Sequence, residues 1–408
     1  MKAIAVLATL DTKAEEAQFL REQLARLGSR AVVVDMGVIG SPGTMADVSR
    51  EDVARAGGGE LSQLLENPTR EAAAPVMTAG AIAVLEKMLR SGELHGILGL
   101  GGFQGTAACT EVMRAMPYGL PKIMVSTAAS GDTAAYVDIK DITMMFSVGD
   151  ILGLNSFTRR ILAGAAGAAH GMALVEAPAR ASSSDKPLIG ISNLGVLTKG
   201  TLHAVELFRQ RGYESIVFHA IGSGGRAMEQ MMKEGVIGAV FDYAMGEISD
   251  EVFGVLRAGG PERLTVAGKL GLPQVLCPGG AEHLGILVEP NVVPDEWKDH
   301  THVFHSPVVF VPRLNGEECT RVAQDINSRL QHTSGKAVLF IPKDGTGSYA
   351  MPGGPLRDPQ SDATFFDALK SGLPEVIEVI ERDTHAEDPE FVAECVDRLI
   401  QLIESGEA

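Results

Sequence analysis

Hydrophobic and polar positions alternate along this chain in a pattern typical of an α/β protein. Short apolar runs that fit buried strands, beginning with residues 3–8, are followed by polar turns and then by longer segments with helical spacing. Four apolar residues of the segment 14–27 fall on one face of a helix: Ala17, Leu20, Leu24 and Leu27. The repeated succession of strand and helix predicts parallel sheets covered by helices on both faces.

This alternation runs twice through the chain and is interrupted once. Residues 178–187, PARASSSDKP, are polar, rich in serine and bounded by prolines, which is typical of a linker. At 408 residues the chain is also longer than one ordinary core requires. We therefore predict an α/β protein with two Rossmann-like, doubly wound domains, 1–177 and 188–408, and a cleft between them.

Three turns in the first half carry candidate phosphate ligands. Each follows a predicted strand, at the C-terminal edge where doubly wound sheets bind ligands, and the second of them, GGFQGT at 101–106, opens a helix. Glycine turns before a helix bring backbone N–H groups and the helix dipole to an anion. The candidates are Thr9, Asp11, Thr12, Lys13, Gly101, Gly102, Gly105, Thr106, Ser126, Thr127, Ser130, Gly131, Asp132 and Thr133. Asp11 or Asp132 would hold Mg²⁺ if the ligand is ATP. Plain turn and capping roles remain the alternative.

The second half repeats this arrangement after the strand predicted at 215–220. Its exit combines a histidine, a glycine cluster and an arginine in the first turn of a helix, which suits a carboxylate or phosphate. The substrate-binding candidates are His219, Gly222, Gly224, Gly225 and Arg226. Later strand exits carry Glu247 and His283, the candidates for an acid–base group.

Composition narrows the classes of function. The net charge of −17 argues against a nucleic-acid surface, which needs a basic face. Four cysteines lie far apart, as expected for reduced thiols in the cytosol. The N-terminal apolar run ends at Asp11 and predicts a strand rather than a signal peptide, and no run reaches the ~20 apolar residues of a membrane helix. We expect a cytoplasmic protein with no nucleic-acid or membrane partner.

A metal site is a competing interpretation of one histidine-rich stretch. Histidines with acidic neighbours can bind zinc or iron, and this stretch contains His283, His300, His302 and His305. No zincin motif accompanies them, and no GxSxG elbow supports a serine hydrolase.

Several long runs carry a resemblance to a known family. They are TLDTKAEE at Thr9, GLGGFQGTA at Gly99, KIMVSTAASGDT at Lys122, DITMMFSVGDILGLN at Asp141, GYESIVFHAIGSGGRAMEQ at Gly212 and GGPERL at Gly259. With them the chain resembles, over essentially its whole length, the family related to the N-terminal ATP-binding domain of the tomato protein that confers resistance to tomato mosaic virus. The resemblance implies two Rossmann-like domains, a homodimer, and ATP binding at the three turns of the first half. Departures from the family pattern at 243–246, 280–284 and 345–353 suggest a subfamily with its own substrate.

The leading hypothesis is a cytosolic protein that binds ATP in its first domain and acts as an enzyme on a small acidic metabolite in the interdomain cleft. One alternative is a non-catalytic nucleotide sensor or binding module, since the sequence shows no Walker A motif. The other is a metal-dependent hydrolase or carbon–carbon lyase that uses the region from His283 to His305.

Overall fold

The computed structural model describes residues 1–66, 68–175 and 186–405. The chain divides into two compact units, Met1–Ala181 and Ser182–Ala408, each with its own parallel sheet. Residues 178–185 of the predicted linker lie outside the described residues.

The first unit is built on a five-stranded parallel sheet with the strand order β2-β1-β3-β4-β5. Its strands are β1 (Ala3–Ala8), β2 (Arg30–Asp35), β3 (Gly96–Gly101), β4 (Lys122–Ser126) and β5 (Thr143–Phe146). Its helices are α1 (Ala14–Leu27), α2 (Arg50–Ala56), α3 (Leu61–Glu66), α4 (Arg70–Arg90), α5 (Phe103–Ala115), α6 (Ala134–Val137) and α7 (Ser156–Leu174). Because β2 lies on one side of β1 and β3 on the other, the chain changes direction between β1 and β3, where such sheets bind ligands.

Helices cover both faces of this sheet. Helices α1 and α7 pack on one face, and α2, α3, α4 and α5 pack on the other. Helix α1 has the predicted bounds and buries Ala17, Leu20 and Leu24. The prediction that Leu27 joins this face is wrong. It is 43% exposed, because it lies in the last turn before Gly28 ends the helix in a left-handed conformation.

One helix of this unit is long and apolar enough to cross a membrane by length and composition. This helix is the segment 71–90 of α4. The sequence analysis expected no apolar run of this length, so α4 departs from that expectation. A single helix of this kind is weak evidence, because core helices of soluble proteins pass the same test. In this structure α4 contributes Met77, Ala81 and Leu85 to the core under the sheet.

The second unit is built on a six-stranded parallel sheet with the order β14-β13-β9-β8-β6-β7. A separate antiparallel sheet has the order β10-β12-β11. The strands are β6 (Ile189–Asn193), β7 (Ser215–His219), β8 (Ala239–Ala244), β9 (Gln274–Gly279), β10 (Ile286–Leu287), β11 (His302–Ser306), β12 (Val309–Pro312), β13 (Ala337–Pro342) and β14 (Ile377–Arg382). The helices are α8 (Thr198–Gln210), α9 (Ser223–Lys233), α10 (Gly246–Phe253), α11 (Val266–Leu270), α12 (Gly316–Leu330), α13 (Pro359–Gly372) and α14 (Pro389–Glu404).

Both units therefore have the doubly wound α/β architecture, which confirms the predicted fold class. In the second unit the change of direction falls between β6 and β8, since β7 lies on the opposite side of β6. The small antiparallel sheet was not predicted. Its strand β11 contains His302 and His305, two of the candidate metal ligands.

Candidate functional site

Several polar side chains of the turn after β1 already have hydrogen-bond partners within the first unit. The hydroxyl groups of Thr9 and Thr12 lie 3.0 Å apart, and the Lys13 ammonium donates to the backbone carbonyl of Ile151 at 2.5 Å. Asp11 differs from them, because its Oδ1 atom is buried without a hydrogen-bond partner among the described residues. Asp11 is therefore the member of this turn with an unused buried acceptor.

The glycine turn after β3 is shaped by close packing of the backbone. A Cβ atom on Gly101 would lie 2.7 Å from the Cα atom of Gly105, so only glycine lets β3 run this close to α5. The Thr106 hydroxyl donates to the Gly102 carbonyl at 2.8 Å and lies 2.6 Å from the buried Ser126 hydroxyl. Both hydroxyl groups are thus used inside the fold.

The turn after β4 lies mostly at the surface. Ser130, Gly131 and Asp132 are exposed, while Thr127 and Thr133 are half-buried. The Asp132 carboxylate accepts from the backbone N–H of Ala134 at 2.9 Å, as in an Asx turn. Of the predicted magnesium ligands, Asp132 is therefore the one already bonded to the backbone.

A cavity of about 510 Å³ opens where β1, β2 and β3 end, beside α4 and α5. From the predicted phosphate ligands its wall includes Thr9, Asp11, Thr12 and Gly105. The other predicted ligands, Lys13 and the residues of the β4 turn among them, are outside this wall. Behind it, burial raises the pKa of Asp35, whose carboxylate accepts from the backbone N–H groups of Leu10 and Gly37. The first unit thus has a ligand-sized cavity at the change of direction of its sheet, and a carboxylate in the wall.

In the second unit the glycine turn before α9 is occupied by a side chain of the protein itself. The Glu247 Oε1 atom accepts from the backbone N–H groups of Gly222 at 2.6 Å and Gly225 at 3.1 Å. Its Oε2 atom accepts from Arg263 Nε at 2.7 Å, and the side chain has no exposed surface. This geometry favours a positioning role for Glu247 over the predicted acid–base role, and it leaves these two N–H groups engaged.

Arg263 links Glu247 to two further buried carboxylates. Its guanidinium bonds both oxygens of Asp242, at 2.5 and 2.6 Å, and lies 3.3 Å from Glu229. Burial raises the pKa of Glu229 to about 7, against the opposing charge of Arg263. A single guanidinium thus ties together residues of β8, α9 and α10 beneath the C-terminal edge of the sheet.

A cavity of about 780 Å³ lies at this edge of the second unit. Of the predicted substrate ligands, His219 at the end of β7 belongs to its wall, together with the predicted acid–base residue His283. Gly222, Gly224, Gly225 and Arg226 are outside it. A Cβ atom on Gly224 would lie 1.9 Å from the His219 carbonyl oxygen, so this glycine serves the packing of the turn.

The imidazole of His283, which belongs to the wall of this larger cavity, is paired with a buried carboxylate outside the wall. The His283 Nδ1 atom lies 2.8 Å from Glu282 Oε1, and the Thr346 hydroxyl donates to Glu282 Oε2 at 2.5 Å. Burial raises the pKa of Glu282, but the charge and hydrogen bond of His283 and the charge of Arg313 outweigh burial and lower it to about 2. An ionised Glu282 accepts the Nδ1 proton, so Nε2 is the ring nitrogen left for a ligand.

Next to this pair lies an arginine that the sequence analysis missed. Arg257 donates from Nε and Nη2 to the two oxygens of Asp250, at 2.8 Å each, and from Nη2 to the His283 carbonyl at 3.1 Å. Asp250 is fully buried and Arg257 belongs to the cavity wall. The remaining nitrogen, Nη1, has no hydrogen-bond partner within the described ranges, so it is the donor available to an anion. No motif marks Arg257 in the sequence, because its partners lie in other segments.

The side chains of the histidine-rich stretch do not converge on one site, because each has a different partner. His300 Nε2 lies 3.1 Å from Glu318, His302 Nδ1 lies 2.9 Å from the His300 carbonyl oxygen, and His305 Nδ1 lies 3.2 Å from the Tyr349 hydroxyl. Among residues 1–66, 68–175 and 186–405, no group of three or more His, Cys, Asp or Glu side chains is arranged to hold a metal ion. The metal-dependent alternative therefore has no cluster to support it in the part of the chain that the structure describes.

Comparison with known proteins identifies relatives along the whole chain. Residues 2–178 match the N-terminal domain, and residues 186–403 the C-terminal domain, of the family described as uncharacterised protein family UPF0261. A UPF0261 protein of Clostridium tetani is 36% identical over 99% of this chain and 99% of its own length. A UPF0261 protein of Rhizobium meliloti is 36% identical over 97% of this chain and 98% of its own length.

A plant relative covers less of its own length. The ToMV susceptible protein tm-1(GCR26) of Solanum lycopersicum is 29% identical over 80% of this chain but only 45% of its own length. The predicted resemblance to the tomato protein family is confirmed by this match.

Proposed function

This chain belongs to the UPF0261 protein family, and from that premise we propose that it is an enzyme that transfers a proton to or from a small anionic metabolite in the cavity of its second unit. The observation that carries the proposal is His283 in the cavity wall, paired with the buried Glu282 and with Arg257 beside it. A buried carboxylate that fixes Nδ1 leaves Nε2 to act as general acid or base.

The chemistry divides between two side chains. Arg257 would hold the anionic group of the substrate through Nη1, while Asp250 keeps the guanidinium in place. His283 would exchange the proton, since its carbonyl oxygen accepts from the same guanidinium and this places the two residues side by side. Glu247 would act as a positioning residue behind the site.

Hydrogen–deuterium exchange at carbon tests proton transfer across a whole class of acids at once. Short oxo and hydroxy acids are incubated with the protein in D₂O, and ¹H NMR follows the loss of signals from protons on carbon next to a carbonyl or carboxyl group. We expect exchange with the wild type, loss of exchange in His283→Gln, and unchanged exchange in the matched control His332→Gln, whose side chain is exposed and outside the cavity. Exchange that survives in His283→Gln would contradict the proposal, and binding without exchange would favour the non-catalytic binding module.

A second proposal concerns the first unit. We infer that ATP, with Mg²⁺, binds in the cavity of about 510 Å³, because this cavity lies at the change of direction between β1 and β3 and has Gly105, from the first turn of α5, in its wall. Asp11 fits a magnesium ligand by its buried unpartnered oxygen. Lys13 would have to give up its bond to Ile151 to reach a phosphate.

Thermal-shift measurements test this second proposal, since a ligand that binds only the folded state raises the melting temperature. We expect a Mg²⁺-dependent shift with ATP that is lost in Gly105→Val and kept in Gly164→Val, a helical glycine with open space around it. Equal shifts in both variants would contradict the site. The homodimer, the cytoplasmic location and the interdomain cleft stay predictions.

A further inference from the structure

The larger cavity has one permanent cation, Arg257, among its described wall residues and an extended apolar wall, and we infer that its substrate is a monocarboxylate with an apolar substituent. This inference rests on the proposed function of the second unit and specifies its substrate class. It follows from the distribution of charge around Arg257, from the exposure of the apolar wall residues, and from the size of the cavity.

Charge in the cavity matches a single negative group. Arg257 is the permanent cation among the described residues of the wall, and it already shares its charge with the buried Asp250. Lys, Asp and Glu are missing from these residues, and the other ionisable side chains of basic type are His219, His283 and His305. With one guanidinium nitrogen available, the site can satisfy one carboxylate. A second carboxylate or a polyphosphate would lack a second permanent cation in the wall, and burying an unpaired charge is costly.

The apolar wall is left open to solvent. Val217, Ile221 and Leu256 line the cavity and are 42%, 44% and 49% exposed. In β7, Phe218 packs into the core with Met228 of α9, while Val217 belongs to the cavity wall. An apolar group that covers these side chains removes them from water and so strengthens binding.

Further apolar residues extend this wall from other elements. They are Leu194 and Val196 after β6, and Val309 and Val311 of β12. The volume of about 780 Å³ exceeds what a short polar acid would fill. A carboxylate at Arg257 then places the carbon next to it near His283, and the rest of the ligand lies along the apolar wall.

Binding to the full chain is measured by calorimetry with a matched set of probes. The probes are 3-phenylpropanoate, 4-methylpentanoate, the uncharged 4-methylpentanamide, butanedioate and inorganic phosphate. We expect the two apolar monocarboxylates to bind, and the amide to bind at least about tenfold more weakly, because it loses a charge-assisted hydrogen bond. Butanedioate and phosphate should also bind at least about tenfold more weakly, because each adds negative charge for which the described wall has no second permanent cation.

Variants locate the binding site. Leu256→Ser and Ile221→Ser should each weaken 3-phenylpropanoate about tenfold, whereas Leu270→Ser, an exposed leucine of α11 outside the cavity, should leave it unchanged. Arg257→Lys should weaken the monocarboxylates and spare the amide, and it avoids leaving Asp250 without a cation.

The outcomes separate this inference from the proposed function. Preference for butanedioate or phosphate, failure of both monocarboxylates to bind at millimolar concentration, or indifference to Leu256→Ser and Ile221→Ser would overturn the substrate class. Tight binding of the monocarboxylates without proton exchange would leave the substrate class intact and contradict the catalytic role of His283.

Discussion

Glu282 illustrates how buried partners decide the charge of a single residue. It has no exposed surface, and burial alone would keep its carboxyl group protonated. The His283 ring, Arg313 and the Thr346 hydroxyl outweigh burial, so the carboxyl group has a pKa of about 2 instead of 4.5. The ionised form, which orients His283, is therefore also the form that stabilises the fold.

A pH-dependent stability follows for this residue. Because the pKa of Glu282 is lower in the folded state, its contribution is fully present above pH 4.5 and is lost as the pH falls toward 2. We expect Glu282→Gln to be less stable than the wild type at neutral pH, and the difference to shrink across this window. Urea unfolding of both proteins at each pH measures it. The exposed Glu375→Gln is the control, and a difference that does not vary with pH would contradict this account.

The candidate site could be predicted from the sequence only in part. His219 and His283 were identified because they follow strands whose C-terminal ends meet at one edge. Glu247 satisfied the same criterion, yet its carboxylate already accepts hydrogen bonds from two backbone N–H groups of another turn. Arg257 was missed because its importance depends on Asp250 and on the His283 carbonyl. Such pairings belong to the tertiary structure and have no local signal.

Among the elements, strands and helices were easier to predict than the turns between them. Apolar runs and helical spacing located β1, β7 and α1 to within about two residues. Strand β11 was missed because its two histidines and its half-exposed pattern do not resemble a buried strand. Antiparallel pairing with β12 stabilises it instead.

The β3–α5 turn gives a prediction at this scale. A Cβ atom on Gly101 would lie 2.7 Å from Gly105 Cα and 3.1 Å from Gly105 C, and backbone atoms cannot move aside as a flexible side chain can. Gly101→Ala should therefore lower the free energy of unfolding by about 1–3 kcal/mol. Gly149→Ala, which meets no atom within 4 Å, should change it by less than about 0.5 kcal/mol. Equal effects in chemical denaturation would show that this close approach is not required.

The start of α9 gives another prediction. Glu247→Gln keeps the shape of the side chain but leaves the buried Arg263 with one charged partner fewer, so we expect a loss of about 3 kcal/mol in unfolding free energy. Glu262→Gln breaks an exposed pair with Lys233 and should cost less than about 1 kcal/mol. If the two substitutions cost the same, the buried network contributes no more than a surface ion pair.

For the whole molecule, the two units have separate cores. The apolar clusters of the first unit contain residues up to Ala173, and those of the second begin at Leu188. We therefore expect two transitions in scanning calorimetry, because each core can unfold cooperatively. Gly101→Ala should lower the temperature of one transition and Glu247→Gln that of the other. A single transition shifted by both substitutions would contradict independent units.

The Glu247 carboxylate, bound at the start of α9, determines how the glycine turn before α9 responds to anions in solution. The Glu247 carboxylate belongs to the same chain as the N–H groups of Gly222 and Gly225 that it binds. Its effective concentration at this turn is therefore set by the fold and does not fall on dilution. A free phosphate or acetate would have to compete with it at that concentration, and would succeed only after the turn itself had opened. Anions in solution should therefore leave this end of α9 unchanged while α10 is folded, and any response of the second unit to anions should come from the wall around Arg257.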